Sequence, residues 1–451
     1  MQKKFLSAAQ NAAFIFFLYV PTALVFYLTF TTEYIPVETF TTTRLIVFLL
    51  FAPILLKYVV HLLIAPLYPL VERGKWKKNI STYTPSVSVL IPAWNEEVGI
   101  VSTIRSILNI RYPKLEIIIV NDGSTDNTHK VVNDFIENYQ LTHDDKTASI
   151  IYRVVPNGGK ARALNTVLPI AQGEILVTID ADSAMEPSAL KNLVKHFIDP
   201  KVASVAGNVV VGNRKKPIGL LQQLEYLYGF YFKRADSLFN AVYIVGGAAA
   251  AYRRELIVEL GGYDTNSITE DIELSTRLQD NGHKVRYAAD AIVYTEGPSD
   301  FSGLCRQRLR WKYGRLLTFH KYRHLFFSLD SKHNPYLSFF ILPLALFAEF
   351  LLFFEGILLI IFYLYTFYSN DYLPLAFVIC LLTVVVGIQI ISDPNMRYHK
   401  NLFWIAPGAW VLFYFMDFVE YRALIGSIRH IVTKRDLSWQ NWTRLGVFEN
   451  D

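Results

Sequence analysis

The stretch GEILVTIDADSAMEPSALK, residues 173–191, joins an apolar run to two aspartates one residue apart, and Pro187 follows. The apolar run predicts a buried β-strand, and the last residues predict a helix that begins near Pro187. Three similar runs precede it, SVSVLI, LEIIIV and SIIYRVV, and each leads into a helical pattern, from about Glu96, Thr125 and Lys160. Apolar strands that alternate with helices indicate βαβ units. We therefore expect a Rossmann-like α/β domain with a mostly parallel sheet over residues 85–298.

Apolar segments lie on both sides of this domain. The chain has 451 residues, of which 52% are hydrophobic and 18% are charged. This composition is too apolar for an ordinary soluble enzyme and too charged for a pure membrane bundle. Residues 12–30 and 45–64 each have about the length that a membrane-spanning helix needs, roughly 20 residues. We expect two transmembrane helices within residues 1–70; the alternative, a cleavable signal peptide, lacks a small-residue cleavage site.

The charges beside these segments predict an orientation. Basic residues flank the two spans and acidic residues lie in the loop between them: Lys3, Lys4, Arg73, Lys75, Lys77 and Lys78, against Glu33 and Glu38. Because short cytoplasmic loops are enriched in Lys and Arg, the N-terminus and the α/β domain are expected in the cytoplasm. The only cysteines are Cys305 and Cys380, so no disulfide framework is expected. The sequence thus predicts a multi-pass plasma-membrane protein whose α/β domain lies in the cytoplasm.

The C-terminal part of the chain leaves the number of crossings open. Residues 336–421 contain three apolar segments, at 336–368, 373–392 and 402–421. Three single crossings would place the basic tail, residues 422–451, outside the cell, against the charge rule. Either part of the long first segment lies along the membrane surface, or a later segment is a hairpin broken near Pro407-Gly408. We expect three or four segments here and a cytoplasmic tail.

Polar motifs follow each predicted strand of the α/β domain. They are PAWNEE, NDGSTD, PNGGK and DADS. Any one of them could be an ordinary turn or a helix cap. Because ligands collect beyond the carboxyl ends of parallel strands, four such motifs on one edge of a sheet favour a binding site.

Asp180 and Asp182 are the candidate metal ligands. If the strand continues through them, residues i and i+2 point to the same side and the two carboxylates repel each other. A divalent cation would neutralise them, and Mg²⁺ or Mn²⁺ prefers one or two carboxylates plus the oxygens of a substrate diphosphate. The D-x-D tripeptide is common by itself, and its position after a predicted strand is what favours a metal site.

A second acidic group, in SITEDIELSTRL, is a candidate for a catalytic base. Glu270 and Asp271 stand at a predicted helix start, where acidic residues also serve as ordinary caps. A carboxylate near the metal site could take a proton from an attacking hydroxyl. Asp271 is our candidate, ahead of Glu270 and Glu273.

The motif GLCRQRLRWKYGRLL, residues 303–317, lies in a region of predicted amphipathic interface helices, residues 299–335. Gln307, Arg310 and Trp311 share one helix face. An arginine can bind a diphosphate with two hydrogen bonds, and an indole offers a flat surface to a sugar ring. The alternative is a helix on the membrane surface whose cations face lipid headgroups, namely Arg306, Arg308, Lys312 and Arg315.

NDGSTD, DAD, TED and QRLRW, in this order between membrane spans, resemble the motifs of the processive family 2 glycosyltransferases. These enzymes are the membrane synthases of poly-N-acetylglucosamine, cellulose, chitin and hyaluronan. The resemblance covers about residues 85–325 and implies a GT-A catalytic domain that uses a UDP-sugar.

The resemblance also implies roles for individual residues. Asp122 would contact the nucleoside, Lys160 the uridine diphosphate, and Asp180 and Asp182 the metal and the diphosphate. Asp271 would be the general base. Gln307, Arg310 and Trp311 would close over the diphosphate and the acceptor end of the glycan. The backbone around Gly246 and Gly247 would line the acceptor site.

TED together with QRLRW is most similar to the poly-N-acetylglucosamine synthases, which implies a homopolymer of an N-acetylhexosamine. Hyaluronan, chitin, cellulose-like and mannan-like products stay open, as do a non-processive transferase that acts on a lipid and a non-catalytic membrane scaffold or glycan channel. The expected partners are the UDP-sugar, the growing polysaccharide, the bilayer and a small accessory membrane subunit. Nucleic acid is not expected, since the net charge is only +5. Because only a short tail follows the last span, a built-in cyclic-dinucleotide sensor is not expected either.

Overall fold

The computed structural model of the chain describes residues 2–35, 41–75, 83–142, 148–435, 437 and 444–447. Three residues of the charge argument, Glu38, Lys77 and Lys78, lie outside the described residues, as does most of the tail beyond Arg435. In chain order the elements are α1 (Gln2–Thr31), α2 (Thr41–Ile64), α3 (Tyr68–Lys75), β1 (Val87–Ala93), α4 (Ile100–Leu108), β2 (Leu115–Asp122), α5 (Thr128–Thr142), β3 (Ala148–Val155), α6 (Lys160–Val167), β4 (Ile175–Thr178), β5 (Ser183–Met185), α7 (Ala189–Val194), β6 (Val202–Val211), α8 (Pro217–Leu238), β7 (Ala250–Arg253), α9 (Arg254–Glu259), α10 (Glu270–Asp280), β8 (Lys284–Thr295), α11 (Phe301–Lys321), α12 (Leu342–Ser369), α13 (Leu373–Ser392), α14 (Met396–His399) and α15 (Ala409–Thr433).

The strands form one mixed sheet in the order β3-β2-β1-β4-β7-β6-β8-β5. Strands β3, β2, β1 and β4 are parallel, as are β6 and β8. Strand β7 runs antiparallel to β4 and β6, and β5 runs antiparallel to β8. The predicted α/β domain with a mostly parallel sheet is therefore confirmed, with an antiparallel insertion in its second half.

The predicted helix starts are accurate to a few residues. Helix α6 begins at Lys160 as predicted. Helix α4 begins at Ile100 rather than near Glu96, because residues 96–99 form a turn in which Gly99 N donates to Glu96 O at 3.2 Å. Such shifts at helix ends are expected from sequence patterns alone.

The sheet is covered on both faces. Val89 and Ile91 of β1 pack against Ile100 and Ile104 of α4, whereas Leu90 points to the opposite face. That opposite face is covered by apolar side chains of α6, α9 and α10. This alternation explains why the strands are apolar at every position.

Four described helices are long and apolar enough to cross a membrane: Ala12–Thr31, Leu45–Glu72, Leu337–Ser369 and Leu373–Ser392. A fifth apolar region, Met396–Trp404 plus Ala406–Thr433, is bent by 60° at Ile405. This break lies beside Pro407-Gly408, where the sequence suggests one. Large apolar side chains project outward from these helices, for example Phe30, which is 83% exposed. Such a surface fits a lipid environment.

Two helices join the α/β domain to the apolar region. Helix α8 packs on β6 and β8 and also contacts α2 and α13, while α11 lies along α15. The carboxyl ends of the central strands face a cavity, and residues of both the α/β domain and the helices α8, α11 and α15 line it.

Candidate active site

A cavity of about 710 Å³ lies beyond the carboxyl ends of β1, β2 and β4. The structure brings to it every site residue selected from the sequence: Asp122, Lys160, Asp180, Asp182, Gly246, Gly247, Glu270, Asp271, Gln307, Arg310 and Trp311. Binding cavities for small molecules usually have volumes of roughly 300–1,000 Å³. This one is large enough for a nucleotide-sized molecule together with part of a second ligand.

Asp180 and Asp182 reach the cavity from a turn and not from a strand. Strand β4 ends at Thr178 and β5 begins at Ser183. The expectation that strand alternation aligns the two carboxylates is therefore wrong, because the chain turns between β4 and β5. Asp180 Oδ1 accepts a hydrogen bond from Lys160 Nζ at 2.7 Å. Burial acts to raise the pKa of Asp180, but Lys160 outweighs it and lowers that pKa.

The loop before α6 is organised by Asp122. Its two carboxylate oxygens accept hydrogen bonds from Gly158 N at 2.9 Å and Gly159 N at 2.8 Å. Gly159 has a φ of 89°, which favours glycine at this position. The loop places Lys160 at the first position of α6, where its Nζ also lies 3.1 Å from Glu270 Oε1. Lys160 therefore links the β4–β5 turn to the start of α10.

Asp271 occupies the first turn of α10 at the other side of the cavity. Its Oδ2 accepts a hydrogen bond from Gly247 N at 2.7 Å, and its Oδ1 accepts one from Ile272 N at 2.9 Å. Burial and the neighbouring Glu270 carboxylate raise the pKa of Asp271 to about 6, against the opposing effect of Lys160. A carboxylate with this pKa can both accept and release a proton near neutral pH.

Glu273 is directed away from the cavity. It is bound by Lys321 Nζ at 2.7 Å and by the Tyr322 hydroxyl at 2.6 Å. It does not line the cavity, so Asp271 and Glu270 stay as the candidate bases.

Helix α11 contributes an aromatic wall. The Trp311 ring lies 6.4 Å from the ring of Tyr226, at an interplanar angle of 38°. The Arg308 guanidinium lies 4.2 Å from the centroid of the Trp311 ring and donates to Gln307 Oε1 at 2.9 Å. Arg308 thus contacts both Trp311 and Gln307, two of the three residues that the sequence predicts on one face of this helix.

Two cations of α11, Arg308 and Lys312, are buried and paired. Arg308 bonds to Glu225 of α8 at 2.5 Å, and Lys312 bonds to Glu349 of α12 at 2.9 Å and to Glu420 of α15 at 2.6 Å. Arg308 and Lys312 are 1% and 4% exposed. The alternative in which these cations face lipid headgroups is therefore wrong for both. We call these three ion pairs, Arg308–Glu225, Lys312–Glu349 and Lys312–Glu420, the charged floor of the cavity.

Sequence reasoning missed several lining residues. Glu296 directly follows β8, so the rule that polar residues follow strands could have identified it. Glu96 lies within PAWNEE but was not singled out. Tyr226 and Lys233 come from α8, which carries no recognisable motif, and Arg444 comes from the tail.

The residues at the β4–β5 turn fit a divalent cation. Asp182 and Glu96 both bind the Arg444 guanidinium, so a cation already lies between them. Among the described residues, the buried Glu96 Oε2 has no hydrogen-bond partner. No group of three or more ligating side chains converges in the described part of the chain. A metal held here would therefore need oxygens from a bound diphosphate, as Mg²⁺ and Mn²⁺ commonly do.

Comparisons with known proteins agree with this geometry. Residues 85–314 match the family model described as "Glycosyltransferase like family 2". The chain belongs to this family. It is also 30% identical to "Probable glycosyltransferase YdaM" of Bacillus subtilis over 393 residues, which cover 82% of this chain and 89% of that one.

A polymer synthase is another relative of this glycosyltransferase. The chain is 33% identical over 231 residues to the poly-beta-1,6-N-acetyl-D-glucosamine synthase of Staphylococcus epidermidis, covering 51% of this chain. The match spans 54% of the synthase, or about half its length.

A solved structure shows the same fold. The mannosyltransferase PcManGT of Pyrobaculum calidifontis, solved in complex with GDP-Man and Mn²⁺, aligns with a TM-score of 0.51 and 24% identity. The alignment covers 86% of this chain and all of that one (100%). The GT-A fold expected from the sequence is confirmed.

Proposed function

We propose that this glycosyltransferase is a processive, inverting polysaccharide synthase. It transfers N-acetylglucosamine from a UDP-sugar to the end of a growing β-linked chain and passes that chain across the membrane. The observation that carries the proposal is the single cavity in which Asp180 and Asp182, Asp271 and the Tyr226–Trp311 wall meet, at the junction with the apolar helices. The similarity to the staphylococcal synthase supports the choice of sugar.

The carboxylate side of the cavity binds the donor. Asp122 and the loop it holds would contact the nucleoside, and Arg310 would approach the diphosphate from α11. A divalent cation, Mg²⁺ or Mn²⁺, bound by Asp180 and Asp182 would offset the negative charge that develops on the departing UDP. The Mn²⁺ in the mannosyltransferase structure supports this assignment.

Asp271 is the proposed general base. It takes the proton of the acceptor hydroxyl while that oxygen attacks the anomeric carbon from the face opposite the leaving UDP. The Gly247 and Ile272 N–H groups hold its carboxylate in a fixed orientation. Attack from the opposite face converts an α-linked donor into a β-linked product.

The aromatic wall would retain the product. Trp311 and Tyr226 present flat apolar surfaces on which a sugar ring can stack after each transfer. Because α11 lies along α15, and α8 reaches α2 and α13, the acceptor side of the cavity adjoins the apolar helices. A chain held there has a short route into the membrane, and this explains why the catalytic domain is joined to spanning helices.

The test uses the purified protein in lipid nanodiscs with Mg²⁺ or Mn²⁺. UDP or GDP release is measured with UDP-N-acetylglucosamine, UDP-glucose, UDP-glucuronate and GDP-mannose, and the product is sized. We expect turnover with UDP-N-acetylglucosamine and a high-mass product that hexosaminidase degrades. Turnover with UDP-glucose or GDP-mannose would identify a cellulose- or mannan-like synthase. A high-mass product that forms only when UDP-N-acetylglucosamine and UDP-glucuronate are supplied together would identify a hyaluronan-like synthase. A product of one sugar on a lipid would replace the proposal with a single-transfer enzyme, which the B. subtilis match leaves open because that relative's name specifies no polymer.

A further inference from the structure

Lys233 of α8 is a cation of the cavity lining that the proposed mechanism does not use. Its Nζ donates a hydrogen bond to Ile244 O at 3.2 Å and lies 4.4 Å from the centroid of the Phe230 ring. Ile244 stands two residues before Gly246, and all four residues line the cavity. Because Gly246 belongs to the backbone that we assign to the acceptor site, Lys233 lies beside the place of the acceptor.

The positive charge of Lys233 has no counter-ion in contact with it. Among the residues that the structure describes, Lys233 forms no ion pair; the nearest acidic groups, Asp236 and Asp271, act on it from a distance. Asp236 is bound by His61 at 2.8 Å, and Asp271 accepts a hydrogen bond from Gly247 N at 2.7 Å. Burial lowers the pKa of Lys233 to about 8, so the amine stays mostly protonated at neutral pH.

This ammonium can bind an oxygen of a ligand. It has three N–H donors, and within the described part of the chain only Ile244 O accepts a hydrogen bond from it. A charged donor forms its strongest hydrogen bonds with carbonyl and carboxylate oxygens. A sugar with a free amine would bring a second positive charge instead, and like charges repel strongly where little water screens them. Lys233 is therefore able to distinguish acceptor sugars by their substituents.

We propose that Lys233 determines acceptor specificity: it donates a hydrogen bond to a carbonyl or carboxylate oxygen on the terminal acceptor sugar, and it excludes a terminal sugar that bears a free amine. The N-acetyl group of N-acetylglucosamine supplies such an oxygen, and so does the carboxylate of a uronate. This inference rests on the proposed function, because it assigns a ligand group to the acceptor side of the same cavity.

The test measures acceptor binding to the full chain in nanodiscs that contain UDP and Mn²⁺, so that the donor side is filled and no transfer occurs. The ligands are fluorescent tetramers of β-1,6-linked N-acetylglucosamine, the repeat named for the staphylococcal relative. Only the sugar at the non-reducing end varies between them: N-acetylglucosamine, glucosamine, glucose or glucuronate. At about pH 6.5 both the glucosamine amine and Lys233 are protonated.

We expect the wild type to bind the acetylated tetramer at least about tenfold more tightly than the tetramers that end in glucosamine or glucose, the usual effect of one hydrogen bond to a charged group. Tightest binding of the tetramer that ends in glucuronate would also support the role of Lys233, and it would identify a uronate as the source of the oxygen. Equal affinity for the acetylated and glucosamine-ended tetramers would overturn the proposal.

Substitutions at position 233 test whether this residue causes the preference. Lys233→Met removes the charge, and we expect it to bind the four tetramers with similar affinity while its UDP affinity stays that of the wild type. Lys233→Arg keeps the charge and should still bind the glucosamine-ended tetramer weakly. Lys216→Met is the matched control, because Lys216 is an exposed lysine directly before α8 and outside the cavity lining. It should show the wild-type preference.

Each further outcome has a defined meaning. A wild-type preference in Lys233→Met would overturn the proposal. If Lys233→Met fails to bind UDP, Lys233→Arg decides, and equal affinity of that variant for the acetylated and glucosamine-ended tetramers would overturn the proposal. If the wild type binds UDP but none of the tetramers, the proposed function falls together with this inference. Tetramer binding without any preference would overturn the role of Lys233 and leave the proposed function intact.

Discussion

Asp271 combines two backbone hydrogen bonds with a pKa raised to about 6 by burial and by Glu270. Replacing it with Asn keeps the shape of the side chain and removes its ability to accept a proton. We expect kcat to fall by about 10²–10⁴-fold, the usual contribution of a general base, while UDP affinity changes little. Steady-state kinetics measure kcat, and calorimetric titration with UDP measures the UDP affinity. A variant that keeps most of the wild-type kcat would exclude Asp271 as the base.

The raised pKa of Asp271 also predicts a pH profile. The base works when deprotonated, so kcat/KM for the donor should rise with pH and reach half of its maximum near pH 6, because this ratio reports the pKa of the free enzyme. Glu270 raises the pKa of Asp271 through its negative charge, so Glu270→Gln should move the half-maximal point to lower pH. The profile is measured at donor concentrations well below KM in both proteins. A shift to higher pH in Glu270→Gln, or a profile that stays flat on the acid side of neutrality, would contradict this assignment.

The site residues differ in how far the sequence predicts them. Asp122 ends a strand, and Lys160 and Asp271 lie in the first turns of helices; such positions can be inferred from hydrophobic periodicity. Arg444 reaches Asp182 across 262 positions of sequence, and no local pattern encodes a contact of that kind.

Helix α11 shows that contacts between distant parts of the sequence are also hard to predict for a whole helix. Its sequence is typical of a basic helix on a membrane surface, yet Arg308 and Lys312 are buried against carboxylates of α8, α12 and α15. The partners Glu225, Glu349 and Glu420 stand in apolar stretches of the chain, where sequence alone gives no reason to pair them with α11. The helix is predictable from its pattern, but the elements that it contacts are not.

Lys312 joins two of these carboxylates, so its replacement has a predictable cost. Lys312→Met leaves Glu349 with Arg315 and deprives Glu420 of its closest cation. Breaking one side of a buried ion pair costs about 3–5 kcal/mol, so we expect the free energy of unfolding to fall by that amount. The change in the free energy of unfolding is measured by unfolding the protein in mixed micelles that contain a rising fraction of a denaturing detergent.

Arg306→Met is the matched control for Lys312→Met. Arg306 lies on the same helix and donates within it to Ser302 at 2.7 Å. Its replacement should change the free energy of unfolding by less than about 1 kcal/mol. Equal losses of stability in the two variants would mean that the charged floor does not secure α11.

At the scale of the whole molecule, the tail constrains the path of the chain through the membrane. Arg444 contacts Asp182, so this residue lies on the same side of a membrane as the catalytic domain. We therefore propose that the number of crossings between α11 and Arg444 is even. The two straight helices, Leu337–Ser369 and Leu373–Ser392, satisfy this condition if the bent region around Ile405 enters and leaves on one side.

Cysteine labelling in whole cells tests this path. In a background with Cys305→Ser and Cys380→Ser, Asn370→Cys in the turn between α12 and α13 should react with an impermeant maleimide added outside. Arg435→Cys beyond α15 should react only after the cells are opened. External labelling of position 435 would show that the bent region crosses the membrane and that the tail cannot enter a cytoplasmic cavity.

The central claim is that the enzyme keeps its product bound between transfers, with Trp311 and Tyr226 as the surface that holds it. The most direct test is a pulse of radiolabelled UDP-N-acetylglucosamine followed by an excess of unlabelled donor, with products sized at the earliest measurable times. The account predicts a few long chains while most of the donor is still unused. In Trp311→Ala it predicts short chains at the same UDP release, whereas Trp404→Ala, a 79% exposed tryptophan outside the cavity lining, should match the wild type. Many short chains that lengthen together in the wild type would contradict the claim.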